Sequence, residues 1–362
     1  MIHIGDTKDG GERVELPVWH TGTFGQSGVG KTKLLKYMMS QANKEGFNVF
    51  IFDSKVTGSE FEGIGEELPF YLEAPLDPDA GAIDPDAFRS LIEGMRTDRQ
   101  ANMDRYRMAF IKICYGAKDF SDIGDSLKAK LANPKVRGYT EQMYSEISHD
   151  YHRLTKLLEK HPFSKELQLP ASTPYIARMP TFKLPNLALQ GLVVRSTVEN
   201  MLRWAEKTIF LVDEAPNFVP QRGYNPAKAT LQDLDEQGRK KELFGWYSGQ
   251  TITGFDKANM KNLWYWIMGR EMERNEAKDV YDTQTYKALT VDQVKQLKVR
   301  EFIVSTPDYT KLVTVPHVDE AALFPQRNEP LVAMLPSVFR VERTEDWTEV
   351  ETRIQEVEAK LA

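Results

Sequence analysis

The chain has 362 residues, 41% of them hydrophobic and 28% charged, with a formal net charge of −6 and a pI near 5.7. That is the balance of a soluble globular chain able to bury a full core as one elaborated domain or two, and it excludes an overall basic field, so any hold on nucleic acid must come from a local patch or from copies arranged around a channel. Cys114 is the single cysteine, which excludes intrachain disulfides and cysteine-rich zinc sites and fits a reducing, cytoplasmic interior; no apolar run of signal-peptide or membrane-spanning length occurs, so no membrane insertion is expected.

In chain order, Val18–Phe24 reads as a short buried strand and Lys33–Lys44 as the amphipathic helix that follows it. Between them lies Gly25-Gln26-Ser27-Gly28-Val29-Gly30-Lys31-Thr32, which satisfies the phosphate-binding loop pattern G-x-x-x-x-G-K-[ST] at every fixed position. The glycines let backbone N–H groups turn onto phosphates, Lys31 reaches the β and γ oxygens, and the Thr32 hydroxyl can join a Mg²⁺ shell, with Lys33 ending the nucleotide-binding stretch. ATP with Mg²⁺ is the expected ligand pair. Asn48–Phe52 is an apolar strand ending at Asp53, so strand, loop, helix and strand make an α/β unit with a parallel sheet.

From Gly58 to Ala87 the chain is rich in Gly, Pro and acids, with a strand expected at Pro69–Leu72. Residues from about Phe88 to Leu169 read as helical and highly charged, broken near Gly116, Asn133-Pro134 and His161-Pro162. The division expected is an N-terminal half of the core at 1–87, a helical insertion at 88–180, a C-terminal half at 181–325, and an extension with an amphipathic helix at 326–362. Lys183–Leu189, Val193–Ala205 and Thr208–Val212 restore the strand and helix rhythm. Further strands are expected at Phe244–Ser248, Trp264–Met268, Glu301–Ser305 and Lys311–Val315, and no period of about 20–50 residues repeats.

Thr208–Val212 is an apolar strand that ends in Asp213 and Glu214, the partner a phosphate-binding loop requires. Asp213 would hold Mg²⁺ while Glu214 orients or deprotonates the attacking water; two acids are needed because the metal occupies one. Gln250 closes the apolar strand FGWYSGQ. Parallel sheets present ligands at strand carboxyl ends, so Gln250 is expected at the γ-phosphate or the lytic water; Asp53 stands either near it or as a structural turn acid. His149, Asp150 and His152 read as a solvated helix face rather than a metal site. Lys128, Lys130, Lys135 and Arg137 form an acid-free cluster, and Trp347, Val350, Ile354, Val357 and Leu361 an apolar helical stripe.

The order of these parts resembles the HerA and FtsK superfamily of ring-forming DNA-pumping ATPases. The resemblance rests on FGQSGVGKT, FDSKVTGSE, FLVDEAPNFVP, GRKKELFGWYSGQ, and the closing NLWYWIMGR and REFIV, about a third of the chain; Ser54 departs from the proline of the family's Asp-Pro-Lys turn. It implies a P-loop NTPase fold of RecA-like, additional-strand type: a mostly parallel twisted sheet flanked by helices, here with an inserted helical subdomain. It further implies an ATP-hydrolysing homo-oligomeric ring, expected to be a hexamer, that threads double-stranded DNA for viral packaging in the host cytoplasm or for mobile-element transfer, with a capsid, portal or nuclease component as partner. The alternative is an ATPase that powers particle assembly or protein secretion without gripping DNA. In the superfamily an arginine about three helical turns before the sensor glutamine enters the neighbouring subunit's site. Arg239 occupies that position, with Arg270 as the second candidate.

Overall fold

Parallel strands covered on both faces read as unbroken apolar runs, and two such runs, NVFIF and TIFLV, lie side by side at the centre of this fold. The computed structural model describes residues 1–55, 59–73, 76–77, 81–95, 106–161, 163–164, 166–317, 319–324 and 331–336. The stripe from Trp347 to Leu361 and most of the expected 326–362 extension lie outside the described residues.

Eleven strands form one sheet. In chain order they are β1 (Ile2–Thr7), β2 (Arg13–Leu16), β3 (Thr21–Phe24), β4 (Asn48–Phe52), β5 (Glu66–Glu67), β6 (Ile176–Met179), β7 (Thr208–Val212), β8 (Leu243–Gly249), β9 (Tyr265–Met268), β10 (Glu301–Ser305) and β11 (Thr310–Thr314). Their spatial order is β2-β1-β11-β10-β9-β3-β8-β7-β4-β6-β5. Pairing is parallel throughout from β9 to β5 and antiparallel from β9 across β10, β11 and β1 to β2. The sheet is therefore mostly parallel, as the α/β reading requires.

Register decides what the strands present. Val212 pairs with Phe52, so Asp213 and Asp53 leave the sheet side by side. Phe24 pairs with both Gly249 and Met268, so Gly25, Gln250 and Gly269 leave it at one level on the same edge. Helix α1 (Lys31–Lys44) buries Leu34, Leu35, Met38, Met39 and Ala42 at helical spacing in the core beneath that edge.

Several elements differ from the sequence reading, among them Glu166–Pro170, a strand that closes the stretch read as helical. The strand entering the loop begins at Thr21 rather than Val18, because the Trp19 carbonyl is taken by the Thr21 hydroxyl at 2.9 Å and the Trp246 indole N–H at 3.0 Å instead of a ladder partner. Between Pro180 and Leu189 there is a 3₁₀ turn, Thr181–Lys183, and the start of the helix Leu187–Trp204; the strand of that region is β6, which carries a buried arginine and so lacks a purely apolar signature.

The chain folds as two compact units. One comprises Met1–Leu68, Gln168–Lys183 and Val198–Ala333 and holds the sheet; the other comprises Pro69–Leu167, Leu184–Thr197 and Met334–Ala362. In the second unit, four helices pack on one another: α2 (Pro85–Met95), α3 (Arg107–Cys114), α4 (Phe120–Ala132) and α5 (Tyr139–Lys160). Phe88 is the hub, with ring centroids of Phe110, Phe120 and Tyr151 at 5.8, 6.2 and 6.4 Å. The breaks between these helices include the positions read from Gly116 and Asn133-Pro134. Asp119 and Asp122 close a capping box at the start of α4. Asp150 is buried against Arg153 at 3.6 Å rather than solvated, while His149 is exposed.

Asp53 is the charged residue that ties the sheet together. Its carboxylate, fully buried, accepts from the Arg178 guanidinium of β6 at 3.1 Å and from the Ser59 hydroxyl, and its backbone carbonyl accepts from Phe182 N–H and the Thr181 hydroxyl, both at 3.0 Å. The structural alternative for Asp53 thus has a physical basis. Removing one member of a buried pair strands the other, so Arg178→Met should lower unfolding stability by about 3–5 kcal/mol. Urea denaturation followed by far-UV circular dichroism measures it, and a loss below about 1 kcal/mol, the range of exposed pairs, would contradict the buried-pair account.

Candidate nucleotide-binding site

The loop between β3 and α1 has the backbone that phosphate binding needs. Gly25, Gly28 and Gly30 have φ of 149°, 83° and 99°. A Cβ on Gly25 would lie 3.0 Å from the Gly269 Cα, so this glycine lets the loop pass directly over the end of β9. Gly30 is the left-handed N-cap of α1 and offers no side chain to the first turn, which also contains no acid. The first-turn N–H groups and the positive end of the helix dipole are left for an external anion. Ser27 and Gly28 are exposed, whereas Val29 is buried and anchors the loop.

Lys31 folds back on its own loop, its ammonium donating to the Gly25 carbonyl and, at 3.2 Å, to the Gln26 carbonyl. Burial lowers its pKa from the ordinary lysine value, opposed by the nearby Glu214, Glu271 and Asp213 carboxylates. Asp213 is 8% exposed, and burial, reinforced by Glu214 and Asp53, pushes its carboxyl up to about 7. A partly buried cation and a cluster of desolvated acids around it form a site whose own groups do not balance one another; a polyphosphate and a divalent cation would complete it.

Glu214 follows Asp213 in a left-handed backbone conformation, φ 49°, which directs its side chain to Gln250; the Gln250 amide donates to the Glu214 carboxylate at 3.0 Å. Lys31, Asp213, Glu214 and Gln250 thus come together at the carboxyl edge of β3, β7 and β8. Thr32 lies at the same loop, and its hydroxyl donates to Glu60, which also receives the Lys55 ammonium. Thr32 and Asp213 are the residues that would hold Mg²⁺, Thr32 after exchanging Glu60 for the metal. Lys33 is exposed on the first turn of α1.

Arg239 lies elsewhere. It belongs to the turn Gly238–Lys241 that precedes β8, exposed, with its guanidinium 4.9 Å above the Trp19 ring. Seven residues of β8 separate that turn from Gln250, about 20 Å along the strand, so Arg239 is on the opposite edge from its own phosphate loop. Arg270 sits next to that loop: its carbonyl accepts from Gln26 N–H at 3.0 Å, and its Nε is buried without a hydrogen-bond partner.

Sequence reasoning missed Glu60, Glu271 and Arg300. Glu271 is 5% exposed and its carboxyl is raised to about 7, chiefly by burial and then by Glu276, with Lys31 opposing. Arg300 donates its backbone N–H to the Val29 carbonyl at 2.9 Å. Glu60 ends the FDSKVTGSE stretch but nothing in that stretch marks it as a partner of Thr32, while Glu271 and Arg300 sit in loops far along the chain that no motif spacing links to Gly25–Thr32.

The chain matches no protein-family model and no curated protein. Among solved structures it resembles VirB4 of Thermoanaerobacter pseudethanolicus at 13% identity and a TM-score of 0.64, covering 89% of this chain and 98% of that one. The plasmid coupling protein TrwB, in complex with ADP and Mg²⁺, aligns at 12% identity and a TM-score of 0.55, over 83% of this chain and 85% of that one. This chain shares the fold of these two proteins, the mostly parallel α/β sheet of a P-loop NTPase. The genome packaging NTPase B204 from Sulfolobus turreted icosahedral virus 2 is a more distant likeness, with a TM-score of 0.45 at 12% identity, over 84% of this chain and 100% of that one.

In a P-loop NTPase fold the carboxyl edge of the parallel strands is the ligand edge, and here it carries the loop, both acids and the glutamine. The reading of Lys31 as the phosphate-binding group and Glu214 as the water-activating base gives separable expectations. Lys31→Ala should abolish detectable binding of ATP, whereas Glu214→Gln should bind ATP and retain it unhydrolysed. Filter binding with radiolabelled ATP, alongside phosphate release, separates the two; normal turnover in Glu214→Gln would exclude it as the base.

Proposed function

We propose that this chain is an ATP-hydrolysing motor of the HerA and FtsK superfamily that assembles into a homo-oligomeric ring, a hexamer, and translocates double-stranded DNA for genome packaging or mobile-element transfer. The observation that carries this reading is the convergence of Lys31, Asp213, Glu214 and Gln250 on one sheet edge, with Gln250 hydrogen-bonded to Glu214. Such an arrangement exceeds what a nucleotide-holding module needs, because it keeps a carboxylate aimed and free to accept a proton. The fold likeness to a plasmid coupling protein supports DNA as the substrate.

The chain's own residues supply the chemistry as follows. The loop N–H groups and Lys31 hold the polyphosphate, Lys31 exchanging its contacts with the Gly25 and Gln26 carbonyls for phosphate oxygens. Glu214, steadied by the Gln250 amide, accepts the proton of the attacking water. Mg²⁺ bound at Thr32 and Asp213 would neutralise phosphate charge. Arg239 acts in trans: lying on the far edge of its own sheet, it serves the site of a neighbouring copy, where an arginine meeting the developing charge is worth about 10³–10⁵ in rate. Arg270, beside the loop of its own chain, does not fit that role.

DNA dependence separates a translocase from a motor for protein secretion or particle assembly. Duplex DNA should raise ATP turnover several-fold at low salt, with the stimulation falling as salt rises and phosphate contacts are screened. A coupled-enzyme ATPase assay with and without linear duplex measures this. Turnover indifferent to DNA at low salt would favour the protein-directed motor.

A further inference from the structure

Arg300 carries a set of features that no role assigned so far explains. It is a non-glycine residue with a left-handed backbone, φ 71°, a conformation unfavourable for a side chain with a Cβ. Both of its backbone groups are engaged: its N–H donates to the Val29 carbonyl of the phosphate loop, and its carbonyl accepts from Val315 N–H, each at 2.9 Å. The residue lies against the loop itself, since a Cβ on Gly30 would meet the Arg300 Cγ at 3.6 Å and its backbone N at 3.8 Å. At the end of this stem, Nη1 is buried and makes no hydrogen bond among the described residues. A buried guanidinium donor without an acceptor is costly, and a strained backbone that aims it persists where the surroundings hold it.

The topology says which part of a nucleotide this donor faces. Asp213, Glu214 and Gln250 follow β7 and β8, on one side of β3, and they define the side of the loop to which the terminal phosphate is presented. Arg300 immediately precedes β10, which lies beyond β9 on the other side of β3. We propose that Arg300 is a nucleotide-binding residue whose guanidinium donates to the α-phosphate end of the bound nucleotide, next to the nucleoside.

The inference rests on the reading of Gly25–Thr32 as the nucleotide site, and calorimetric titration of the full-length protein with ADP and Mg²⁺ tests it, with Lys31→Ala testing the site itself. Two variants guard against a folding artefact. Arg300→Gly suits the left-handed backbone, and Arg300→Met keeps the stem while removing the donors; thermal unfolding of each checks that the fold is intact. Both should lose about tenfold or more in ADP affinity, the effect of deleting a charge-assisted hydrogen bond. ADP affinity equal to that of the parent protein in Arg300→Met would overturn the proposal. Failure of the parent protein to bind ADP, or ADP binding undiminished in Lys31→Ala, would instead remove the nucleotide site itself.

Discussion

The desolvation of charge at the carboxyl edge of the sheet is the constraint from which the rest of the site follows. Parallel β4 and β7, apolar on both faces, bring Asp53 and Asp213 out side by side into a buried setting, and the structure answers each acid differently. Asp53 receives Arg178 and becomes part of the scaffold. Asp213 makes no such ion pair among the described residues, and burial raises its carboxyl to about 7. Lys31, lowered by burial, holds only loop carbonyls, and Glu271 nearby is raised to about 7. Groups desolvated in this way are typical of ligand sites, and a ligand of mixed charge would complete this one.

The same sheet separates two tasks. Its carboxyl edge gathers Lys31, Asp213, Glu214 and Gln250, whereas Arg239, stacked on Trp19, stands before the first residue of β8 on the opposite edge. In the ring proposed above, Arg239 would serve a neighbouring copy's loop rather than its own, and turnover would depend on contact between copies.

Much of this fold can be read from the sequence because its central strands are apolar without interruption. NVFIF, TIFLV and EFIVS appear as strands at their sequence-expected positions, and GKT opens α1. β6 escapes notice because Arg178 breaks its apolar run, and its tertiary pairing with Asp53, Glu67 and Ser59 explains an arginine there. The β1–β2 hairpin, rich in polar residues, is an antiparallel addition at the sheet edge with no motif to announce it. In the site, residues bound by local spacing are legible, namely the loop, the acid pair and the strand-ending glutamine. Glu60, Glu271 and Arg300 reach the loop through long-range folding, and the left-handed backbone of Arg300 leaves no trace in its neighbours' identities.

Completion of each site by a second copy is the claim on which the motor reading depends. Mixing Arg239→Ala protein with Lys31→Ala protein and measuring ATP turnover tests it directly, because each variant alone lacks one half of every interface. Mixed assemblies contain some interfaces where an intact loop faces an intact Arg239, so turnover should recover partially and in proportion to their number. Mixtures no more active than the two variants apart, or full turnover in Arg239→Ala alone, would contradict it.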